Sequence, residues 1–298
     1  MIKKIPIPIC GLILALFSLG NLLNNTHPIL RTICGIAGGI FLVLILTKLV
    51  LYPQEIRKDF SNPIIASNSG TFSMSLMLLS TYLAPFIPNV AFGVWILGVA
   101  LHIMLMIYFT YHFIIRNFDI SYVYPSYWIV FVGITMGAIT AHAHNLNEIA
   151  FVFFAIGFAA MLITLPLVVY RYLRYSDIPD GNKPLICIFT AVLSILIVGY
   201  VNSFNTISIE FLITLYAFAC AFYLFALYKF IEYRNLDFYP SFSAFTFPFV
   251  ISGLATVGVI SKVGQNTSLN SVLTIETVIA TAIVAYVLIR YMKFLSRN

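Results

Sequence analysis

Few side chains in this sequence could do chemistry. His142 and His144, in AHAHNLNE with Glu148 four residues beyond His144, have the residue types of a metal site. A spacing of two within a loop fixes no ligand geometry, so they read as a polar loop and no metal is expected. Cys10, Cys34, Cys187 and Cys220 lie far apart in apolar surroundings without paired spacing, and read as small packing residues. P-loop, dinucleotide, GxSxG and HExxH motifs are absent, as is any cluster of polar groups at helical spacing. Neither an enzyme nor a cofactor is expected. What remains is a pair of ionisable residues deep in apolar runs, His102 and Glu276. Such groups are costly in lipid and often functional. A neutral His102 needs only a hydrogen-bond partner. Glu276 could carry a proton, or pack against a base such as Arg31 or Lys262. Lys48 and Glu210 lie near the ends of their runs, where Lys48 can snorkel to the interface and water reaches Glu210.

The elements that hold these residues must cross a membrane. Charged residues are 9% of the 298 and hydrophobic ones 61%, with a mean hydropathy of +1.00, far from the balance of a soluble domain. Ten apolar runs, at roughly 5–23, 29–51, 67–88, 90–112, 125–141, 147–170, 184–202, 208–231, 241–262 and 269–292, can each span the hydrocarbon as a helix. Barrel strands would be shorter and alternate in polarity. The expectation is an all-α integral membrane protein of ten transmembrane helices, with residues 1–298 a single channel or transporter domain and the lipid bilayer its solvent. MIKKIPIPICGLILALF has no small-x-small cleavage site near its end and reads as the first helix rather than a secretory signal. The net charge of +6 does not point to nucleic acid. When loops are assigned to alternate sides, Lys3, Lys4, Lys48, Arg57, Lys58, Arg116, Arg171, Arg174, Lys183, Lys229, Arg234, Arg290, Lys293 and Arg297 fall on the N-terminal side, and only Arg31 and Lys262 fall opposite. That 14 to 2 division predicts cytoplasmic termini in the cell (inner) membrane.

Loops on the outer side (NNTHP, IPN, HAHNLN) are short, which groups the helices as five hairpins. Pro6, Pro63, Pro125, Pro184 and Pro240 open them at spacings of 57, 62, 59 and 56 residues. Regular hairpin lengths and prolines at helix ends would give a similar spacing without true repetition. A carrier of two inverted five-helix halves would repeat at about 150 residues instead, and residues 1–146 show no match to 147–298. Odd-numbered segments carry the small and helix-bending residues, Pro8 and Gly11, Ser67, Ser69 and Gly70, Gly133 and Gly137, Pro248 and Gly253. Even-numbered ones are bulky and suit lipid contact. This predicts an inner ring of five odd helices inside an outer ring of even ones. Between Pro6 and Leu22, Ser67 and Pro85, Pro125 and Ala141, Pro184 and Tyr200, and Ser241 and Ser261 the odd segments contain no Lys, Arg, Asp or Glu, so a lumen between them would lack fixed charge. Such a pathway favours rapid permeation of weakly selected ions, with a mild anion preference from helix dipoles and amides.

In SAFTFPFVISG, residues 243–253, a proline stands inside the ninth segment beside Phe247. There it would cancel the hydrogen bond to Ala244 and bend the helix. Together with PIPICGLILAL at 6–16 and YPSYWIVFVG at 124–133, the motif AFTFPFVISGLAT at 244–256 resembles the tellurite-resistance/dicarboxylate transporter family, which includes bacterial TehA and the plant slow-type guard-cell anion channels. The resemblance runs end to end. It implies five hairpins in quasi-five-fold order around a central pore, assembly as a homotrimer with one pore per subunit, and small inorganic or organic anions as the permeating partners. The second aromatic of the helix 9 motif, which plugs the pore in the family, maps onto Phe247, and the helix 1 glycine facing it maps onto Gly11. Phe245 and Phe249 are then left to pack against neighbouring helices. Tyr124 stands where a histidine often precedes the proline in the bacterial pattern. Regulation through the long cytoplasmic tails on which kinases act in the plant channels is not expected here. A gated, passive anion channel is the leading expectation. The alternative is a proton-coupled carrier of dicarboxylates or other organic acids using Glu276 or His102.

Overall fold

The computed structural model describes residues 2–24 and 26–297; Asn25 of the first outer loop and the side chain of Arg297, counted above among the basic residues, lie outside that description. Among the described residues all regular structure is helical. The α-helices are α1 (Ile9–Leu23), α2 (Pro28–Leu51), α3 (Pro53–Asp59), α4 (Pro63–Asn68), α5 (Gly70–Leu83), α6 (Pro88–Phe109), α7 (Ser126–Phe131), α8 (Thr135–Ala141), α9 (Asn147–Arg174), α10 (Phe189–Ser203), α11 (Ile209–Tyr233), α12 (Phe247–Val263) and α13 (Thr267–Arg297). Tighter 3-10 stretches, Asp180–Ile188 and Pro240–Phe245, lead into α10 and α12, and a wider π turn, Thr110–Arg116, prolongs α6.

Among the described residues seven helical stretches are long and apolar enough to cross a membrane, as expected for an integral membrane protein. The first, third and fifth predicted segments fall short of that length. α1 has 15 residues, α4 gives way to α5 at Ser69, and α7 gives way to α8 across Val132–Ile134. α4 starts at Pro63, ahead of the predicted run, with the Asn62 side chain accepting from the N–H groups of Ile64 and Ile65. At Gly133 the N–H reaches back to the carbonyl of Trp128, a five-residue loop that ends α7. A Cβ at Gly133 would collide with the carbonyl of Ile129, so the bend requires glycine.

Burial separates the stretches into two kinds. In Asp180–Ser203 and Pro240–Val263, 94% and 78% of the apolar window is buried, against 28–33% in the other five long stretches. α1 belongs with the buried kind, with only Asn21 and Leu23 outside the buried set. α1 packs on α5, α5 on α8, α8 on α10, α10 on α12 and α12 on α1, so these contacts close on themselves. α2, α6, α9, α11 and α13 each pack on the buried stretch that precedes them. The remaining face of α2 shows why they stay outside: Ile29, Ile33, Ile36, Ile40, Val43, Leu46 and Val50 recur every three to four residues and are all exposed. Such a stripe suits hydrocarbon or another apolar surface and not water.

Two sequence expectations need correction. Pro248 is not in a helix interior: α12 begins at Phe247, and Pro248 occupies its first turn, where the missing N–H belongs to a group without an intrahelical partner in any case. The bend falls instead at Thr246 (φ −92°, ψ −77°), the junction of the 3-10 stretch and α12. Lys48 does not snorkel. It is buried, its Nζ donating to the carbonyl of Ile5 at 2.7 Å and pairing with Asp59 at 3.5 Å, because the short helix α3 folds that carboxylate back beneath α2.

Candidate functional site

A cavity of about 40 Å³ lies where the closed series of buried stretches meets. Gly11 reaches it from α1, Asn68 and Thr71 from the α4–α5 break, Trp128 and Gly133 from the α7–α8 break, Ile195 from α10, and Phe247 with Pro248 from the start of α12. No Lys, Arg, Asp, Glu or His lines it. Its size suits a water or two and no hydrated ion. Phe247 is 7% exposed, its ring part of the wall.

The local geometry of α12 aims that ring. The hydroxyl of Thr246 donates to the carbonyl of Ser243 at 2.6 Å, with the carbonyl of Gly11 at 3.3 Å, fastening the junction to α1. The N–H groups of Phe249 and Val250 both donate to the carbonyl of Thr246, starting the helix just past the proline. Gly11 is pressed most closely by Ser243: a Cβ there would stand 3.1 Å from the serine Cβ and 3.2 Å from its hydroxyl. Phe245 and Phe249 point away from the cavity and are fully buried. Phe245 meets Phe230 and Phe242, and Phe249 meets Tyr223 and Phe230. Pro8 caps the start of α1 and lines a second cavity, not the central one.

That second cavity, about 390 Å³, opens among Lys3, Lys4, Lys48, Asn182 and Ser241 on the side that collects the basic residues. Asn68 lines both it and the central cavity, marking the neck between them. At the opposite end a cavity of about 620 Å³ is bordered by Asn21, Arg31, Thr81 and His142. Arg31 is held there by Asn21 Oδ1 at 3.0 Å and the carbonyl of Thr81 at 3.2 Å, over the ring of Tyr82. His144 Nε2 lies 2.9 Å from Ser80 Oγ and packs against Phe92 and Trp95; burial first, and then the neighbouring His142, lower its pKa. Among the described residues no three metal-ligating side chains converge.

The two intramembrane ionisable residues are not brought to the cavity. Glu276 is buried against α12 and accepts hydrogen bonds from Ser252 Oγ at 2.7 Å and Thr256 Oγ1 at 2.5 Å, Thr256 in turn meeting Tyr216 Oη at 2.9 Å. The sequence offered Arg31 or Lys262 as its base; its partners are hydroxyls instead. His102 is fully buried, Nε2 donating to the carbonyl of Val130 at 3.0 Å and Nδ1 2.7 Å from Ser73 Oγ. It thereby satisfies a carbonyl at the end of α7, where the break leaves such groups without an intrahelical partner. Glu276→Gln is expected to leave anion current unchanged, with no dependence on a pH gradient before or after substitution, since the amide still offers an acceptor to one hydroxyl. Currents from reconstituted protein under an imposed pH gradient check this.

Sequence reasoning missed three residues. Asn68 stands between Ser67 and Ser69, which had marked the third segment as small and polar, yet it is the residue at the neck. Trp128, within YPSYWIVFVG, lines the central cavity while its indole N–H is buried without a partner among the described residues. Arg171, counted only as a topological charge, is 2% exposed and donates to Tyr124 Oη at 2.6 Å and to the carbonyl of Ser121 at 3.1 Å. Tyr124, at the position where the bacterial pattern often has histidine, is therefore tied to Arg171 and lies off the cavity.

Comparison with known proteins shows the family. An uncharacterized transporter of Methanocaldococcus jannaschii is 24% identical over 179 residues, covering 56% of this chain and 52% of that protein. The chain thus spans about half the length of the curated relative it matches. The model of the SLAC1 family, described as voltage-dependent anion channel, matches residues 5–292, nearly the whole chain. Long apolar helices, a cavity without charge and this match lead to one conclusion: the chain belongs to the SLAC1 voltage-dependent anion channel family and is a multi-pass membrane protein.

Proposed function

We propose that the chain is a passive, gated channel for small inorganic or organic anions, which cross a central uncharged pore along the cavity and are stopped by Phe247. In this reading the ten segments form five hairpins in quasi-five-fold order around the pore, residues 1–298 act as one domain, and the protein works as a homotrimer in the cell membrane with cytoplasmic termini. The observation that carries the reading is the lining of the central cavity, to which all five buried stretches contribute without a single full charge. A lumen of that kind holds no ion tightly, so passage is limited by dehydration and width. At about 40 Å³ the cavity is too small for a hydrated anion while the ring of Phe247 forms part of its wall. Rotation of Phe247 about χ1 would widen it. A proton-coupled carrier would need a titratable group on the route, and the positions of Glu276 and His102 away from the lining count against it.

Reversal potentials of reconstituted protein under chloride, nitrate and malate gradients test the reading. Each is expected to lie close to the equilibrium potential of the permeant anion and not to move when a pH gradient is added. A reversal potential that follows the proton gradient would remove the passive mechanism.

A further inference from the structure

We propose that a groove between α2 and α6, on the side of the molecule that carries the basic loops, binds an anionic phospholipid, with one acyl chain in the groove and the headgroup on Arg57 and Lys58. The groove is a cavity of about 350 Å³ bordered by Cys10 of α1, Leu49 of α2, Ile56 of α3, Ser73 of α5, and Leu101 and Met104 of α6. Met104 is 62% exposed, so the groove opens sideways, where the bilayer lies. Its walls belong to two separate packing units, α2 seated on α1 and α6 on α5.

Water does not suit this space. The hydroxyls on its border are already used, Ser69 donating to the carbonyl of Ala66 and Ser73 bonding to the carbonyl of Gly70 and to His102. An apolar cavity without free polar groups stays dry, and left empty it forfeits the dispersion contacts of its whole lining. Hydrocarbon from the adjoining leaflet restores them.

The headgroup end is set by α3, a short helix with Ile56 on the groove and the ring of Phe60 beyond it. Tyr108 fixes this roof by donating to the carbonyl of Phe60 at 3.1 Å. Both acids of α3 are neutralised from within, Glu55 by Lys3 at 3.1 Å and Asp59 by Lys48 at 3.5 Å. Arg57 and Lys58, beside Ile56, are exposed and have no ion pair among the described residues. An apolar contact in the groove with two unneutralised cations next to it matches an anionic amphiphile lying at the interface. Cys10 at the groove floor adjoins Gly11 in the central cavity, so the bound chain would lie one helix away from the pore.

Photo-crosslinking of the full chain in nanodiscs tests this, using phosphatidylglycerol with a diazirine at the end of one acyl chain and the matching phosphatidylcholine. Labelling is expected to concentrate on peptides containing Cys10, Ser73 and Met104, and to favour phosphatidylglycerol. The double variant Arg57→Gln/Lys58→Gln should cut that preference about tenfold, whereas Leu101→Trp, which fills the groove, should suppress labelling by both lipids. Label spread evenly over the outer helices, or equal labelling of the native chain by the two lipids, would overturn the proposal. So would a Met104→Cys variant that a short bis-maleimide joins to a second copy, since the groove would then be an interface between copies.

Discussion

Phe247→Ala is expected to raise anion current about tenfold or more while the protein still folds. The magnitude follows from population arithmetic. If the open conformation is the minor one, populated at about 0.1–10%, removing the ring that defines the closed state makes the remainder available. The pore loses nothing it needs for selectivity, because Phe247 contributes no charge and the rest of the cavity wall is unchanged. Folding should survive for a local reason. Truncating a buried phenylalanine typically costs about 3–5 kcal/mol, but part of this ring faces a cavity, and the neighbours that anchor the stretch, Phe245 and Phe249, keep their contacts with Phe230. Bilayer recordings of variant and parent, paired with gel filtration in detergent, check both halves. An unchanged current from a folded variant would sink the assignment of Phe247 as the plug.

How much of this could be read from the sequence depended on which physical signal carried it. Segment positions and the contrast between buried odd and exposed even stretches were legible, because hydropathy and the split between small and bulky residues register directly in burial. The roles of Phe245 and Phe249 as packing residues were legible too, since a helix that presents Phe247 to the axis turns its neighbours outward. Helix starts were less so. Pro248 was read as a kink because apolar residues continue on both sides of it, yet the preceding stretch winds as a 3-10 helix and places the proline in a first turn. Hydropathy does not distinguish the two windings. The partners of Glu276 were illegible for a different reason. A carboxylate in an apolar run invites a search for a base, whereas Ser252 and Thr256, one helical turn apart on a neighbouring helix, satisfy it without charge. Asn68 escaped notice because nothing in its surroundings in the chain distinguishes a residue at a neck from one in a wall.

Arg171 yields the largest expected effect on stability, and it separates two readings of one residue. As a topological charge it would be interchangeable with its exposed neighbour Arg174. The structure gives it a different task at the C-terminal end of α9, where a cation is also favoured by the helix dipole. Its guanidinium donates to the carbonyl of Ser121 at 3.1 Å, to that of Tyr175 at 3.4 Å and to Tyr124 Oη at 2.6 Å, and lies over the rings of Tyr124 and Tyr172 at 4.1 and 5.1 Å. It thus ties the end of α9 to the segment that leads into α7, and through α7 to Trp128 and Gly133 in the cavity wall. Arg171→Ala leaves the buried Tyr124 Oη with only the 3.4 Å contact from Asn182 Nδ2, at about 1–3 kcal/mol for that group, and removes the bonds to the carbonyls of Ser121 and Tyr175 and the guanidinium over the two rings. The thermal midpoint of purified protein should fall by about 5 °C or more, and Arg171→Lys should recover only part of that, because one ammonium cannot span three acceptors in a planar fork. Arg174→Ala should leave the midpoint where it was. Equal midpoints for Arg171→Ala and Arg174→Ala would return Arg171 to its role as a marker of sidedness, and the bend at Gly133 would then rest on glycine and on His102 alone.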